Sequence, residues 1–158
     1  MKLSLQPRVM VLFWRFHRWV YRRSGGRVGG RLLGLPMLLL TTTGRRSGQP
    51  HTTALTYLTD DVHYAVVASN GGARQHPAWL HNLRAFPHAQ IQVGSLVYGV
   101  HAREAVGAER ERLWNRMVQL YAGYRGYQAR TTRQIPVLVL ETHGSGDPAS
   151  SQRPNAAR

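Results

Sequence analysis

From residue 37 to residue 142, short apolar runs alternate with polar breaks at the two-residue period of strands, interrupted by stretches at the wider period of helices. Residues 37–42, "MLLLTT", are a compact apolar run; residues 51–59 alternate; residues 62–69 are rich in valine and alanine. Asp60-Asp61 between the last two reads as a hairpin turn rather than a catalytic carboxylate pair. In "HPAWLHNLRAFP", Pro77 suits a first helical turn and Pro87 stops the element, which predicts a short helix. "QIQV" and "LVYGV" flank Gly94-Ser95 as the two arms of a hairpin. Residues 108–121 put Leu113, Met117, Leu120 and Tyr121 on one side of a second helix, and "QIPVLVLETH" supplies a last strand. Six strands with only short helices between them predict a mainly β fold, a closed or half-closed antiparallel barrel rather than a doubly wound sheet. No internal repeat is visible.

The pattern changes at both ends. On a helical wheel, Arg15, Arg18 and Arg22 form one stripe, with Val9, Leu12, Phe13, Phe16, Trp19 and Val20 opposite, so residues 1–23 predict a basic amphipathic helix. Its apolar face can dock on the domain, or residues 8–23 can lie on an anionic membrane surface. A bilayer-spanning helix needs about 20 mainly apolar residues, and Arg15 and Arg18 cut this run; no small-residue cleavage pattern follows, so a secretory signal is not expected. "SGGRVGGRLLGLP" makes residues 24–36 a glycine-rich connector, residues 37–143 the folded domain, and residues 144–158, rich in Pro, Gly and Ser, a disordered tail.

Composition narrows the chemistry. With 158 residues, 42% of them hydrophobic, the chain fits one domain with one core. Against 7 acidic residues stand 21 basic ones, nearly all arginine, for a net charge of +14. Such a chain seeks anions: nucleic acid, an acidic membrane, or a phosphorylated or polycarboxylate small molecule. The absence of cysteine removes disulfides, thiolate nucleophiles and Cys-based metal sites, and agrees with a reducing cytoplasm. "GRRSG" is neither a G-x-S-x-G nucleophile elbow nor a phosphate-binding P-loop, and the histidines include no H-E-x-x-H. If the protein is an enzyme, its reactive group comes with a cofactor.

Three stretches could build that site. Gly44 and Gly48 allow the loop between them to turn N–H groups toward a ligand, Ser47 adds a hydroxyl, and Arg45 and Arg46 offer forked donors to phosphate or carboxylate. An exposed basic hairpin turn is the alternative. "ASNGG" ends a strand on glycines that permit close backbone approach, or is a plain wide turn. "HPAWLHNL" puts Trp79 and Asn82 on one helical face, to stack and orient a ring or to serve as a core tryptophan with a capping asparagine.

Taken in order, "LLLTTTGRRSGQP", "ASNGGARQHPAWLHNL" and "YAGYRGY" resemble the deazaflavin-dependent nitroreductase and quinone reductase family, split β-barrels of the FMN-binding-like type that use coenzyme F420. The resemblance spans residues 12–141. It implies that Arg45, Arg46 and Ser47 hold the cofactor's phosphate and oligoglutamate tail. The strand His51, Thr52, Thr53, Ala54, Leu55 and Thr56 and the segment Val67, Ala68, Ser69 and Asn70 would line the deazaflavin. Ala78, Trp79, Leu80, His81 and Asn82 would close the pocket. Ala54 stands where many relatives have proline. The implied reaction carries a hydride from reduced F420 to a quinone, nitroaromatic or activated double bond. Tyr121, Tyr124 and Tyr127, three residues apart, would cover this small-molecule acceptor, with Tyr124 nearest the ring as cofactor contact and proton relay. The same stripe could be core packing, but Gly123 and Gly126 argue for a mobile lid.

Rivals remain at this level: a related barrel carrying FMN or a haem breakdown product, or a non-enzymatic basic barrel bound to nucleic acid or membrane. Nucleic acid is not expected, because the motif arginines sit in one loop rather than over a face with interleaved aromatics. The expected location is the cytoplasm, with the N-terminal helix either packed on the barrel or holding the protein at the inner face of the cell membrane.

Overall fold

A computed structural model of the chain describes residues 31–32 and 34–142. The expected amphipathic helix over residues 1–23 and the tail over 144–158 lie outside the described residues.

The chain forms β1 (Arg31–Leu32), β2 (Leu35–Thr43), β3 (Pro50–Asp60), β4 (His63–Val67), α1 (Ala78–Ala85), β5 (His88–Val93), β6 (Leu96–Glu104), α2 (Gly107–Leu120), α3 (Gly123–Ala129) and β7 (Val137–Thr142). A 3-10 turn, Asn70–Gly72, lies between β4 and α1. Every strand pair is antiparallel, in the order β2-β3-β4-β7-β6-β5, and β5 pairs back onto β2 at Leu39↔Gln92, Leu40↔Ile91 and Thr41↔Gln90. The sheet thus closes into a six-stranded barrel, and closure removes its open edges. The hairpin turns expected at Asp60-Asp61 and Gly94-Ser95 join β3 to β4 and β5 to β6.

The connector expected over residues 24–36 is corrected at its end. Gly34, at φ 82, turns the chain so that β1 pairs with the start of β2, Arg31↔Pro36 and Leu32↔Leu35. Glycine and proline there make a tight hairpin and an edge position, not a spacer.

Alternation sorts the side chains into two layers. Leu38, Leu40, Val66, Ile91, Val100, Leu138 and Leu140 point into the barrel with Ala68, and Trp79, Leu80 and Leu83 of α1 join them. Leu58, Ala65, Val67, Val137 and Val139 point outward and are covered by Leu113, Met117 and Val118 of α2 and Tyr124 of α3. Truncating one of the fully buried leucines to alanine costs about 2–5 kcal/mol, so both layers hold the strand frame that positions the loops.

Candidate functional site

The loop after β2 is a tight, glycine-dependent structure. The Gly44 N–H donates to the Gln49 carbonyl (2.8 Å) and the Gly48 N–H to the Gly44 carbonyl (2.7 Å), with Gly48 at φ 66. A Cβ on Gly44 would displace the Ser47 hydroxyl and the His51 ring that close over it. Ser47 Oγ lies 3.2 Å from His51 Nε2 and accepts the Gln49 N–H at 3.2 Å. Asn82 of α1, only 7% exposed, fixes the loop to the barrel: its Oδ1 accepts the Arg45 N–H (3.1 Å) and its Nδ2 donates to Thr42 Oγ1 (3.1 Å). The loop is rigid at its base while the Arg45 and Arg46 side chains stay exposed.

This loop, the start of β3, residues 70–77 and the first turns of α1 enclose an open cleft of about 920 Å³. Three arginines line it (Arg45, Arg46, Arg74), three histidines (His51, His76, His81), and no carboxylate. Among the described residues, no acid pairs with Arg45, Arg46 or Arg74. Such a lining suits a ligand carrying several negative charges.

The cleft brings together many of the residues expected from the sequence: Arg45, Arg46, Ser47, His51, Thr52, Thr53, Asn70, Ala78, Trp79, His81 and Asn82. Others lie elsewhere. Leu55 packs inside the barrel with Ala68 and Leu80, and Val67 lies under the outer helices. Ser69 is half-buried and its carbonyl accepts from Arg133 Nη2. Trp79 lines the cleft but belongs to the barrel core, so packing and lining coincide in one side chain. Sequence reasoning missed Arg74, Gln75, His76 and Pro77. The signal for them was their place between two of the motifs, "ASNGG" and "HPAW".

The tyrosines form a second cluster beside the cleft. Ring centroids lie 5.3 Å apart for Tyr121–Tyr124, 6.0 Å for Tyr124–Tyr127 and 6.1 Å for Tyr121–Tyr127, and the hydroxyls of Tyr121 and Tyr127 are 3.3 Å apart. Tyr121 sits in the link between α2 and α3, Tyr124 is 6% exposed within α3, and the Gly123 backbone lies against the Tyr121 ring. Burial pushes the Tyr124 hydroxyl up to about 12; a hydrogen bond with Thr56 acts the other way. Tyr127 is raised by its bond with Tyr121 and by burial.

Thr56 ties the two regions together. Thr52, Ala54, Thr56 and Leu58 alternate onto the outer face of β3, from Thr52 at the cleft to Leu58 beneath the tyrosine layer, with Thr41 Oγ1 against Thr52 Oγ1 (2.8 Å) and Thr56 Oγ1 donating to Met37 Sδ (3.3 Å). At about 3.3 Å per residue, Thr52 and Thr56 lie about 13 Å apart along the strand. The small Ala54 between them leaves the strand surface low. The turn Asn70–Gly72 closes the other side: a Cβ on Gly72 would stand 2.5 Å from the Tyr127 carbonyl oxygen, so α3 rests directly on the backbone that carries Asn70 into the cleft.

Residues 13–142 match the family of F420H(2)-dependent quinone reductases. The chain belongs to that family. It is 44% identical over 140 residues to an F420H(2)-dependent quinone reductase of Mycobacterium tuberculosis, which covers 86% of this chain and 94% of the relative. A solved F420-H2 dependent reductase is 41% identical, superposes with a TM-score of 0.63, and covers 67% of this chain and 94% of its own. A structure described as a domain-swapped dimer, 36% identical with a TM-score of 0.66, covers 86% of this chain and all of its own, 100%. The barrel is therefore the split β-barrel of this oxidoreductase family, and the cofactor of the family is reduced coenzyme F420.

Proposed function

We propose that the protein binds reduced coenzyme F420 with its acidic tail in the arginine cleft and its ring along β3 over Ala54, and reduces a quinone held against Tyr121, Tyr124 and Tyr127. The observation that carries this reading is the cleft without a carboxylate, opening onto a strand face whose far end lies under a buried tyrosine. The bound cofactor supplies a hydride.

The protein's own residues supply the rest. Arg45, Arg46 and Arg74 neutralise the phosphate and glutamate carboxylates, with Ser47 and His51 as further hydrogen-bonding groups beside them. Asn82 holds the Arg45 backbone, so the loop need not reorganise on binding. Trp79 closes the cleft above α1. The tyrosines shield the acceptor from water, and Tyr124, protonated at every physiological pH because its hydroxyl titrates near 12, donates a hydrogen bond or a proton to the acceptor oxygen. A nitroaromatic or an activated double bond fits the same arrangement, since each needs a hydride and then a proton.

The test is a fluorescence titration of the purified protein with coenzyme F420 and, separately, FMN, followed by oxidation of reduced F420 in the presence of a short-chain naphthoquinone. Saturable F420 binding with quinone-dependent oxidation is expected. Tighter binding of FMN, or no quinone-dependent oxidation, overturns the reading.

We further propose that the Arg15, Arg18, Arg22 stripe attaches the protein to the inner face of the cell membrane, where lipid-dissolved quinones reside. Each base near an anionic surface contributes about 1 kcal/mol, which suits reversible attachment. Among the described residues no helix is long and apolar enough to cross a membrane. Pelleting with anionic but not neutral vesicles at low salt is expected, and failure to pellet overturns this part alone.

A further inference from the structure

The cleft wall formed by residues 69–76 is held by a side chain that neither the motifs nor the cleft lining includes. Arg133, half-buried between α3 and β7, donates from Nη2 to the Ser69 carbonyl (2.8 Å), from Nε to the Ala73 carbonyl (3.0 Å) and from Nη1 to His76 Nδ1 (3.1 Å). Its Nη atoms also approach the Ala68 carbonyl at 3.4 Å. No described carboxylate pairs with it. The backbone at Arg133 is braced in turn: Gln128 Nε2 donates to the Arg133 carbonyl (2.8 Å) and its Oε1 accepts the Ile135 N–H (3.0 Å). A single guanidinium thus spans the turn whose residues Asn70, Arg74, Gln75 and His76 line the cleft.

The contact with His76 has a direction. A guanidinium has donors and no acceptor, so His76 Nδ1 accepts and the ring proton of the neutral imidazole sits on Nε2. Protonating Nδ1 would set an N–H against the guanidinium. The other groups facing the ring are Arg84, itself bonded to Glu104, and His81, whose ring lies 5.9 Å away. Burial first, then Arg133, Arg84 and His81, hold His76 below its ordinary value, with Glu104 alone acting the other way.

We propose that Arg133 is a positioning residue for the cofactor cleft, which fixes the 69–76 wall and keeps His76 as the neutral Nε2–H tautomer, a donor in the cleft that does not change its charge. This rests on the cleft being the F420 site, so one arm of the test needs no cofactor. In the ligand-free protein with 15N-labelled histidine, the ring identified by its loss in His76→Gln should show the Nε2–H pattern and gain its second proton only below the ordinary histidine range. In Arg133→Met the same ring should titrate higher than in the parent, while staying below its ordinary value because burial, Arg84 and His81 remain.

The second arm is F420 affinity against pH. Arg133→Met should bind about tenfold more weakly than the parent at pH 8, the scale of one lost set of charge-assisted bonds, and regain part of that loss as pH falls and His76 gains charge earlier than in the parent. The double variant Arg133→Met/His76→Gln should not regain it. Arg133→Lys keeps a charge beside His76 but cannot reach Ser69, Ala73 and His76 together; it should bind weakly with no recovery at low pH. Ordinary titration of His76 in the parent overturns the proposal, as does unchanged affinity and pH profile in Arg133→Met. If Arg133→Met does not fold, the parent's histidine spectrum and the Arg133→Lys profile decide. If Arg45→Ala/Arg46→Ala leaves F420 affinity intact, the cleft assignment fails instead, and the ligand-free spectrum still tests Arg133.

Discussion

Arginines on the two flanks of the barrel are used in opposite ways. Along α2 and the neighbouring strands they are matched with acids, Arg112 and Arg116 with Asp60 and Arg103 with Glu109 and Glu141, and Arg84 at the far end of α1 pairs with Glu104. At the cleft, Arg45, Arg46 and Arg74 converge with no described acid to answer them. Among the described residues, acids on one flank neutralise arginines that hold the fold, and three arginines are left without an acid where an anionic ligand can use them. An acid partner marks the arginines that tie α2 to the strands, and its absence in an open cleft marks those free to meet an anion.

Removing the unpaired charges breaks this contrast most directly. Arg45→Ala/Arg46→Ala should weaken F420 binding about 10²-fold or more, since hydrogen bonds to charged groups contribute about 1.5–3 kcal/mol each, and the difference from the parent should shrink as salt rises. Arg112→Ala, on the paired flank, should leave the same titration unchanged. Equal effects from the two would abolish the distinction.

Tyr124→Phe tests the region at the far end of β3. The ring stays and the hydroxyl goes, so F420 affinity should be preserved while turnover of a quinone falls about 10²-fold, the lower end of what a positioned proton donor contributes. Because the hydroxyl titrates near 12, Tyr124 should cause no alkaline loss of turnover between pH 7 and 10. Stopped-flow oxidation of reduced F420 separates the two quantities. A smaller change, about tenfold in F420 affinity, is expected for Arg74→Ala, one cation of three in the cleft.

How much of this was legible in the sequence follows from how local each feature is. The strands, the Gly94-Ser95 turn and the bounds of α1 are written in period and punctuation, and "GRRSG" announced its loop because glycines frame the arginines. The start of β2 was hidden because Gly34 and Pro36 have the composition of a linker but here turn and edge a hairpin. Gly123 suggested a loop, whereas it opens α3 beside the Tyr121 ring, a contact no propensity encodes. Leu55, Val67, Ala68 and Leu80 fell among the expected lining residues because a contiguous motif carries inward and outward positions alike. Arg133 left no trace, since its partners Ser69, Ala73 and His76 are 57 to 64 residues away in the chain.

The smallest effect belongs to the paired flank and is the sharpest check on the division. Arg112 Nη1 and Nη2 donate to both oxygens of Asp60 (2.7 and 2.8 Å), while Arg116 donates to Asp60 and, through Nη2, to the Thr59 carbonyl (2.9 Å), pinning α2 to the end of β3. The Arg112 hydrogen bond first, and its charge and those of Arg116 after it, hold the Asp60 carboxyl down from 3.8 to about 2, against a raising effect of burial. A carboxyl lowered by folding stabilises the native state in full above its unfolded value and loses that stabilisation as pH falls through the folded value, so the loss should run from pH about 4 to pH about 2. Both arginines are close to half exposed, which limits the contribution at neutral pH to about 1 kcal/mol. Asp60→Asn should therefore lower the urea midpoint slightly at pH 7, the gap to the parent should close toward pH 2, and the F420 titration should not move. A shift in cofactor affinity in this variant would mean that the two flanks are coupled and that the paired arginines are not purely structural.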